Sequence, residues 1–329
     1  MYVDILSRKI LRELCTDSRQ SATDIAKKFG ISRYYAAKRI AFLEKTLGLK
    51  YTLELDPKLL GISAIHILHA SFSKRPSDEE LSSYFNTIND VQFAAKTRGD
   101  FGLLLFVASR SLSDYFKWEI SFWLRFAKYG IHTVSSEVLV KHLGIIPFNK
   151  ETILSSSLSP IYKKMLAELN ENSRMSIKEL GERCGISADL ARYYLTKMNE
   201  NKIVSKYTAI VTNPPTKYNI VFFANYTVRE GVESRVAQER REMYWRVPEE
   251  FPVVNEFQWM IGTTGGHSAF VLGTYENLEE GIERSVKLHA KIYSKDSAEV
   301  VYATIEKVLK GYLPIRNVDV EQEYDKTFI

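Results

Sequence analysis

The sequence predicts an α+β fold in which two winged helix-turn-helix units alternate with two ferredoxin-like (βαββαβ) sheet domains. Three observations predict it. A helix-turn-helix pattern runs from Asp17 to Leu47, it recurs 155 residues later, and a strand-helix-strand-strand-helix-strand order follows each copy.

In the first unit, Ser21 is the candidate N-cap of the helix ATDIAKKF, and Gly30 closes that helix where a positive φ is needed. Ser32 caps a second helix, whose apolar residues Ala36, Ile40, Leu43 and Leu47 fall on one face. The outward face carries Tyr34, Lys38, Ala41 and Lys45, residue types suited to a nucleic-acid groove.

The repeat organises the chain. DSRQSATDIAKKFGIS from Asp17 recurs as NSRMSIKELGERCGIS from Asn172. At the same offset Ile10, Leu14, Ala36, Ile40 and Leu43 map to Met165, Leu169, Ala191, Leu195 and Met198, all apolar. Lys-Tyr-Thr follows each copy, at Lys50 and Lys206, and opens a β-rich run read as a wing.

After the first wing come a strand at Ser63–Phe72, a helix from Asp78, and strands VQFAAKT and GLLLFVA around the turn Arg98-Gly99-Asp100-Phe101. An aromatic helix, Ser113–Gly130, then leads to a strand around Val134–Leu143. The second copy runs from a strand at Asn219–Val228 through a helix in SRVAQERREMYW. Strands near Val254–Met260 and Ser268–Tyr275, a helix at Leu278–Tyr293 and a strand from Glu299 follow. The expected domains are 1–60, a first winged helix; 61–150, a first sheet domain; 159–213, a second winged helix; 214–316, a second sheet domain; and 317–329, a polar tail. Ser155–Ser159 reads as a short polar linker.

Composition narrows the function classes. Hydrophobic residues make up 45% of the 329 and charged residues 26%, as in a soluble globular protein. No apolar run approaches the roughly 20 residues that span a bilayer, and the N-terminus lacks a signal-peptide pattern, so a cytoplasmic protein without membrane contact is expected. Cys15 and Cys184 sit in helical patterns and read as small apolar residues. The net charge is +5. Residues 1–60 hold 12 Lys/Arg against 7 Asp/Glu and residues 159–212 hold 9 against 6, so positive charge gathers in the two helix-turn-helix segments.

The motif set resembles the leucine-responsive/asparagine-synthesis (Lrp/AsnC) regulators, in a tandem form as in archaea. The matching features are Asp-Ser-Arg-x-Ser before the second helix, the Gly-Ile-Ser turn, Arg-Ile-x-x-Leu-Glu ending the recognition helix, and Tyr-Thr followed by Asp-Pro and Leu-Leu-Gly. The resemblance implies a transcription regulator that binds double-stranded DNA in a sequence-specific way, with ligand-sensing and dimerisation domains behind the winged helices. In that family two subunits pair their sheets face to face. One chain carrying both modules implies either an internal pseudo-dimer or two chains pairing like with like, and a homodimer is the expectation.

On the first recognition helix the DNA-facing candidates are Arg33, Tyr34, Tyr35, Lys38, Ala41 and Lys45, with Ser21 and Ser32 as backbone clamps at helix starts. For Tyr34 and Tyr35 the competing role is packing, and Arg39, beside the core stripe, is expected in an intradomain pair. On the second helix the candidates are Ser187, Arg192, Tyr193 and Lys197, but Asp189 and Glu200 share that face, so weaker binding is expected there.

The resemblance also implies a small effector near the turns between the central strands. The residues it points to are Arg98, Gly99, Asp100, Thr263, Thr264, Gly265 and Gly266. Gly102 stands where the family commonly has a second acid, and the second turn has no acid, so an amino-acid effector is doubtful. Neither a metal nor a cofactor is expected. The six histidines, including His66, His69, His142 and His267, form no metal-binding spacing, and no catalytic set is visible. Two other readings compete with the regulator. One is an enzyme like the siroheme decarboxylases, which share a tandem of such modules; the other is an adaptor that binds components of the transcription machinery.

Overall fold

The fold is described from a computed structural model, over residues 3–143, 145–226, 257–267, 269–283 and 298–316. The first unit comprises α1 (Ile5–Thr16), α2 (Ala22–Phe29) and α3 (Arg33–Leu47). Its local signals act as expected. Ser21 Oγ accepts from the Asp24 amide at 3.2 Å while Asp24 returns a bond to the Ser21 amide, and Gly30 ends α2 at φ 64°. Ser32 caps α3, accepting from the Tyr35 amide at 3.1 Å. β1 (Leu49–Leu55) follows.

The first sheet region contains β2 (Ala64–Phe72), α4 (Asp78–Thr87), β3 (Val91–Gly99), β4 (Leu103–Ser109), α5 (Leu112–Phe126) and β5 (Ile131–Leu143). A short helix, α6 (Lys150–Leu154), leads into the second unit of α7 (Pro160–Glu171), α8 (Ile177–Cys184) and α9 (Ala188–Glu200). The intervening polar stretch is anchored, since Ser156 is buried and Arg110 donates to Ser155 Oγ at 2.7 Å. β6 (Val204–Val211), β7 (Tyr218–Tyr226), β8 (Phe257–Thr264), β9 (Ala269–Tyr275) and β10 (Ala298–Lys310) complete the elements. The helix expected in SRVAQERREMYW and the tail 317–329 lie outside the described residues; the later helix is described only over 278–283.

The eight strands after the two units close into one barrel, in the order β10-β3-β4-β2-β5-β8-β9-β7. Two four-stranded halves are joined at both edges. β5 pairs with β2 along its first part and with β8 through Val138↔Thr264 beyond it. β10 pairs with β7 and then with β3 through Thr304↔Arg98. Each half thus satisfies the edge strands of the other. Period-two alternation sends Leu68, Leu105 and Val107 outward beneath α4 and α5, and sends Ile67, Leu104 and Phe106 inward to meet Val221, Phe223, Phe270 and Leu272. Of the two arrangements considered for the sheets, the structure has the one within a single chain. A homodimer would need a different surface.

The wings depart from the expectation that each completes its own unit. β1 and β6 pair with each other, antiparallel and centred on Thr52↔Thr208. Leu53 and Leu55 of β1 join the core of Met165, Leu169 and Met198, whereas Ala209 and Val211 of β6 join that of Ile10, Leu14 and Leu43. The segments that follow β5 and β10 cross likewise: Ile146 and Phe148 pack on the second unit, and Leu313 and Ile315 on the first. The physical reason is burial. A lone wing leaves backbone unpaired and apolar residues wet, and the exchange removes both costs. All ten apolar positions matched across the repeat are buried.

Candidate nucleic-acid interface and the barrel cluster

α3 is held to its unit by Ala36, Ile40, Leu43 and Leu47, all buried, which turns its other face outward. Tyr34 is 77% exposed, and Arg33, Lys38, Ala41 and Lys45 are exposed beside it. Among the described residues, Arg33, Lys38 and Lys45 have no ion-pair partner, so their charge projects into solvent. Tyr35 is different. Its hydroxyl accepts from Arg39 Nη2, the Arg39 guanidinium lies 4.8 Å from its ring centroid, and Arg39 Nη1 pairs with Asp4 at 2.7 Å. Arg39 therefore makes the intradomain pair expected of it, and Tyr35 packs with it. The hydroxyls of Ser21 and Ser32 are engaged in helix caps.

The corresponding face of α9 is electrically quieter. Arg192 pairs with Asp189 at 2.8 Å and Lys197 with Glu200 at 2.8 Å, each within the helix. Ser187 caps the helix, and Tyr193 is 54% exposed. The structure thus presents comparable surfaces of different electrostatic character, with three cations on α3 unpaired among the described residues and two neutralised ones on α9.

The Asp-Ser-Arg motif and its Asn-Ser-Arg repeat do not face outward. Ser18 and Ser173 are fully buried with their hydroxyls 2.6 Å apart. Arg19 Nη1 donates to Ser173 O (2.6 Å) and Met175 O (3.3 Å), and Arg174 Nη1 donates to Ser18 O (2.7 Å) and Gln20 O (3.2 Å). Arg19 lies over Tyr207 and Arg174 over Tyr51. The two units are locked together along this seam, which fixes how the two recognition helices are presented.

The proposed effector turns lie where the barrel halves join. Gly99 approaches Tyr302 and Ala303 so closely that a Cβ there would lie 2.6 Å from Tyr302 O. Asp100 exchanges two bonds with the Tyr302 backbone, at 3.0 and 2.9 Å, and Arg98 pairs with Glu306. At the other junction Thr263 is buried, Thr264 is exposed, and Gly265 and Gly266 pass over Ser135 and Glu137.

The second junction also brings together residues that no sequence motif links. Glu137 is fully buried. Its Oε1 accepts from Ser135 Oγ at 2.7 Å and lies 2.6 Å from His267 Nδ1, while Oε2 accepts from the His267 amide at 3.2 Å. Burial pushes its carboxyl up, but the bonds from His267 and Ser135 outweigh that and hold it below the usual range. His69 is 4% exposed and neither ring nitrogen has a hydrogen-bond partner among the described residues; burial pulls its pKa down to about 4. His66, three residues away on β2, faces the other side of the sheet. It stacks on Tyr115 with ring centroids 3.5 Å apart and its Nε2 lies 3.0 Å from Ser109 Oγ. His142 lies in β5. Glu137 has no motif around it; only the pairing of β5 with β8 reveals its role.

Comparison with known proteins adds the following. A profile for the AsnC-type helix-turn-helix domain matches residues 3–44, and one for a winged helix-turn-helix DNA-binding domain matches 158–205. The chain is 31% identical over 121 residues to the proline dehydrogenase transcriptional activator of Rhodobacter capsulatus, covering 35% of this chain and 77% of that protein. It is 29% identical over 143 residues to the HTH-type transcriptional regulator LrpC of Bacillus subtilis, covering 43% of this chain and 98% of that one. In fold, it is similar to the crystal structure of the siroheme decarboxylase NirDL, with TM-score 0.57 and 15% identity over 95% of this chain and 94% of that one. At that identity the likeness is one of fold alone. Among the described residues no helix is long and apolar enough to cross a membrane. Carrying both helix-turn-helix matches and these relatives, the chain belongs to the Lrp/AsnC family of DNA-binding transcription regulators.

Proposed function

We propose that this chain binds double-stranded DNA in a sequence-specific way, with α3 lying in the major groove and supplying most of the affinity. One observation carries the reading: Arg33, Lys38 and Lys45 project from α3 without acidic partners among the described residues, whereas Arg192 and Lys197 of α9 are held by Asp189 and Glu200. A free cation neutralises a phosphate or donates to a guanine edge, and a paired one must first give up its carboxylate. Arg33 and Tyr34 stand in the first turn of α3, the part that enters the groove, with Ala41 placed for a thymine methyl. Tyr35 supports Arg39 behind that surface. α9, with Ser187 and Tyr193, provides a weaker second contact.

We read the chain as a regulator and not as an enzyme. The interior between the barrel sheets is filled by Phe93, Phe101, Phe106, Phe223 and Phe270, all buried, where a decarboxylase would have to admit a macrocycle. Adding an iron porphyrin is expected to leave its Soret band unchanged; a stoichiometric shift would favour the enzyme. An effector, if the chain responds to one, acts at the barrel junctions, and contact with the basal transcription machinery is the remaining partner expectation.

The test is selection of bound fragments from a random DNA pool, followed by gel-shift titration at fixed salt. Arg33→Gln with Lys38→Gln should weaken binding more than Arg192→Gln with Lys197→Gln. Equal losses would sink the asymmetry, and failure to enrich any sequence would sink the function.

A further inference from the structure

We infer that His69, Glu137 and His267 form a binding site for one divalent transition-metal ion at the junction of the two barrel halves. The three side chains come from three different places, β2, β5 and the turn after β8, and their ligand atoms all lie within 4.8 Å of one another.

The residues are a coherent donor set. Two imidazoles and one carboxylate suit first-row divalent ions such as zinc, cobalt and iron(II), and leave positions open for water or a small ligand. His69 is the informative member. A buried polar ring with no hydrogen-bond partner among the described residues is costly, so a fold that keeps one implies a partner supplied from outside the chain. Rings surround it instead, Phe101 at 4.8 Å, Phe223 at 4.7 Å and His267 at 5.5 Å between centroids. Glu137 is a fully buried carboxylate with no arginine or lysine partner among the described residues, and an ion beside it would balance its charge.

The opposite junction is the internal control. Thr304↔Arg98 there matches Val138↔Thr264 here, which sets Ala303 opposite Glu137 and Phe101 opposite His267 in the two halves. His69↔Leu104 matches Phe223↔Phe270, so Phe223 corresponds to His69. The same backbone geometry is thus filled by Phe, Ala and Phe on one side and by His, Glu and His on the other. Packing demands only the apolar set. The polar set, with glycines at 265 and 266 leaving room over Glu137, requires a chemical reason. Because its readout is metal content and not DNA affinity, this inference stands or falls apart from the regulator reading.

The experiment uses the full chain, stripped with a chelator and titrated with Co2+ and Zn2+. One ion per chain is expected after dialysis, with visible Co2+ absorption of a low-coordinate imidazole site and a rise in thermal midpoint on adding Zn2+. His69→Phe and His267→Phe should each weaken Co2+ binding at least about tenfold and abolish the absorption, while His132→Ala, at an exposed histidine elsewhere on β5, leaves both unchanged. The triple change His69→Phe, Glu137→Ala, His267→Phe copies the opposite junction and should fold without binding. Substoichiometric metal in the wild type, or equal binding by the triple variant, would overturn the inference.

Discussion

Ser18 and Ser173, 155 residues apart in sequence and equivalent in the repeat, face each other with their hydroxyl oxygens 2.6 Å apart in a fully buried site. Their backbones are joined just as symmetrically: the Ser18 amide donates to Tyr207 O and the Ser173 amide to Tyr51 O, both at 3.1 Å. Each hydroxyl is the other's partner. Replacing either by alanine should cost about 1–3 kcal/mol, because the survivor is buried and unpaired, whereas Ser18→Ala with Ser173→Ala should cost less than the two single losses together. Urea unfolding of the four species measures this, and strict additivity would show that the pair is not coupled.

The arginines beside them carry more. Arg19 and Arg174 each donate a charge-assisted pair of bonds to backbone carbonyls of the opposite unit, so Arg19→Ala or Arg174→Ala should destabilise by roughly 2–3 kcal/mol. Lysine should not rescue either, since one ammonium on a flexible stem does not reproduce a planar guanidinium stacked on Tyr207 or Tyr51. Full rescue by lysine would show that charge alone matters at this seam.

Glu168 of α7 accepts from Lys150 of α6 at 2.9 Å and from Arg183 of α8 at 3.3 Å. The Lys150 bond, helped by Arg183 and opposed by burial, holds its carboxyl below the usual range. A depressed folded-state pKa adds stability above the unfolded value and loses it as pH falls through the folded value. Because both cations are substantially exposed, the contribution at pH 7 is about 0.5–1 kcal/mol. Glu168→Gln should lower the urea midpoint at pH 7, and the gap should close as pH falls through the depressed folded-state value. A gap that widens in acid would reverse the assignment.

Cys15 lies in the first unit's core with its Sγ donating to Ala209 O at 3.2 Å, and burial pushes its thiol up to about 11. Cys184 is buried and shifted upward by the same cause. Neither thiol should react with Ellman's reagent in the native chain at pH 8, and both should in denaturant. Rapid native reaction of Cys15 would mean that β6 separates from α1 on that timescale.

Local signals were readable because they depend on residues a few positions apart. The Ser21 and Ser32 caps, the Gly30 stop and the buried stripe of α3 follow from spacing alone. The exchange of wings was hidden, because Leu53 and Ala209 are apolar whichever unit they cover, and only the pairing of β1 with β6 decides. The same limit hid the barrel cluster. That His66 and His69 point to opposite faces follows from strand alternation, but the meeting of His69 with Glu137 and His267 needs the pairing of β5 with both β2 and β8. Conversely, Asp17-Ser18-Arg19 and Asn172-Ser173-Arg174 read as helix entries, and their arginines fasten the two units together.

The salt dependence of DNA binding separates the two recognition helices more sharply than affinity at one salt concentration. Each phosphate contact contributes about 0.9 to the slope of log K against log salt concentration. Arg33 and Lys38 are free cations among the described residues, so Arg33→Gln with Lys38→Gln should flatten the slope by about 1–2. Arg192 and Lys197 already have carboxylates at 2.8 Å, and neutralising them removes charge that was internally compensated. That pair should change the slope by well under about 1. A converse variant sharpens the argument: Asp189→Asn releases Arg192 and should steepen the slope if α9 lies against the duplex. Should both glutamine pairs flatten the slope equally, the intrahelical ion pairs of α9 break on binding, and the two helices contribute alike.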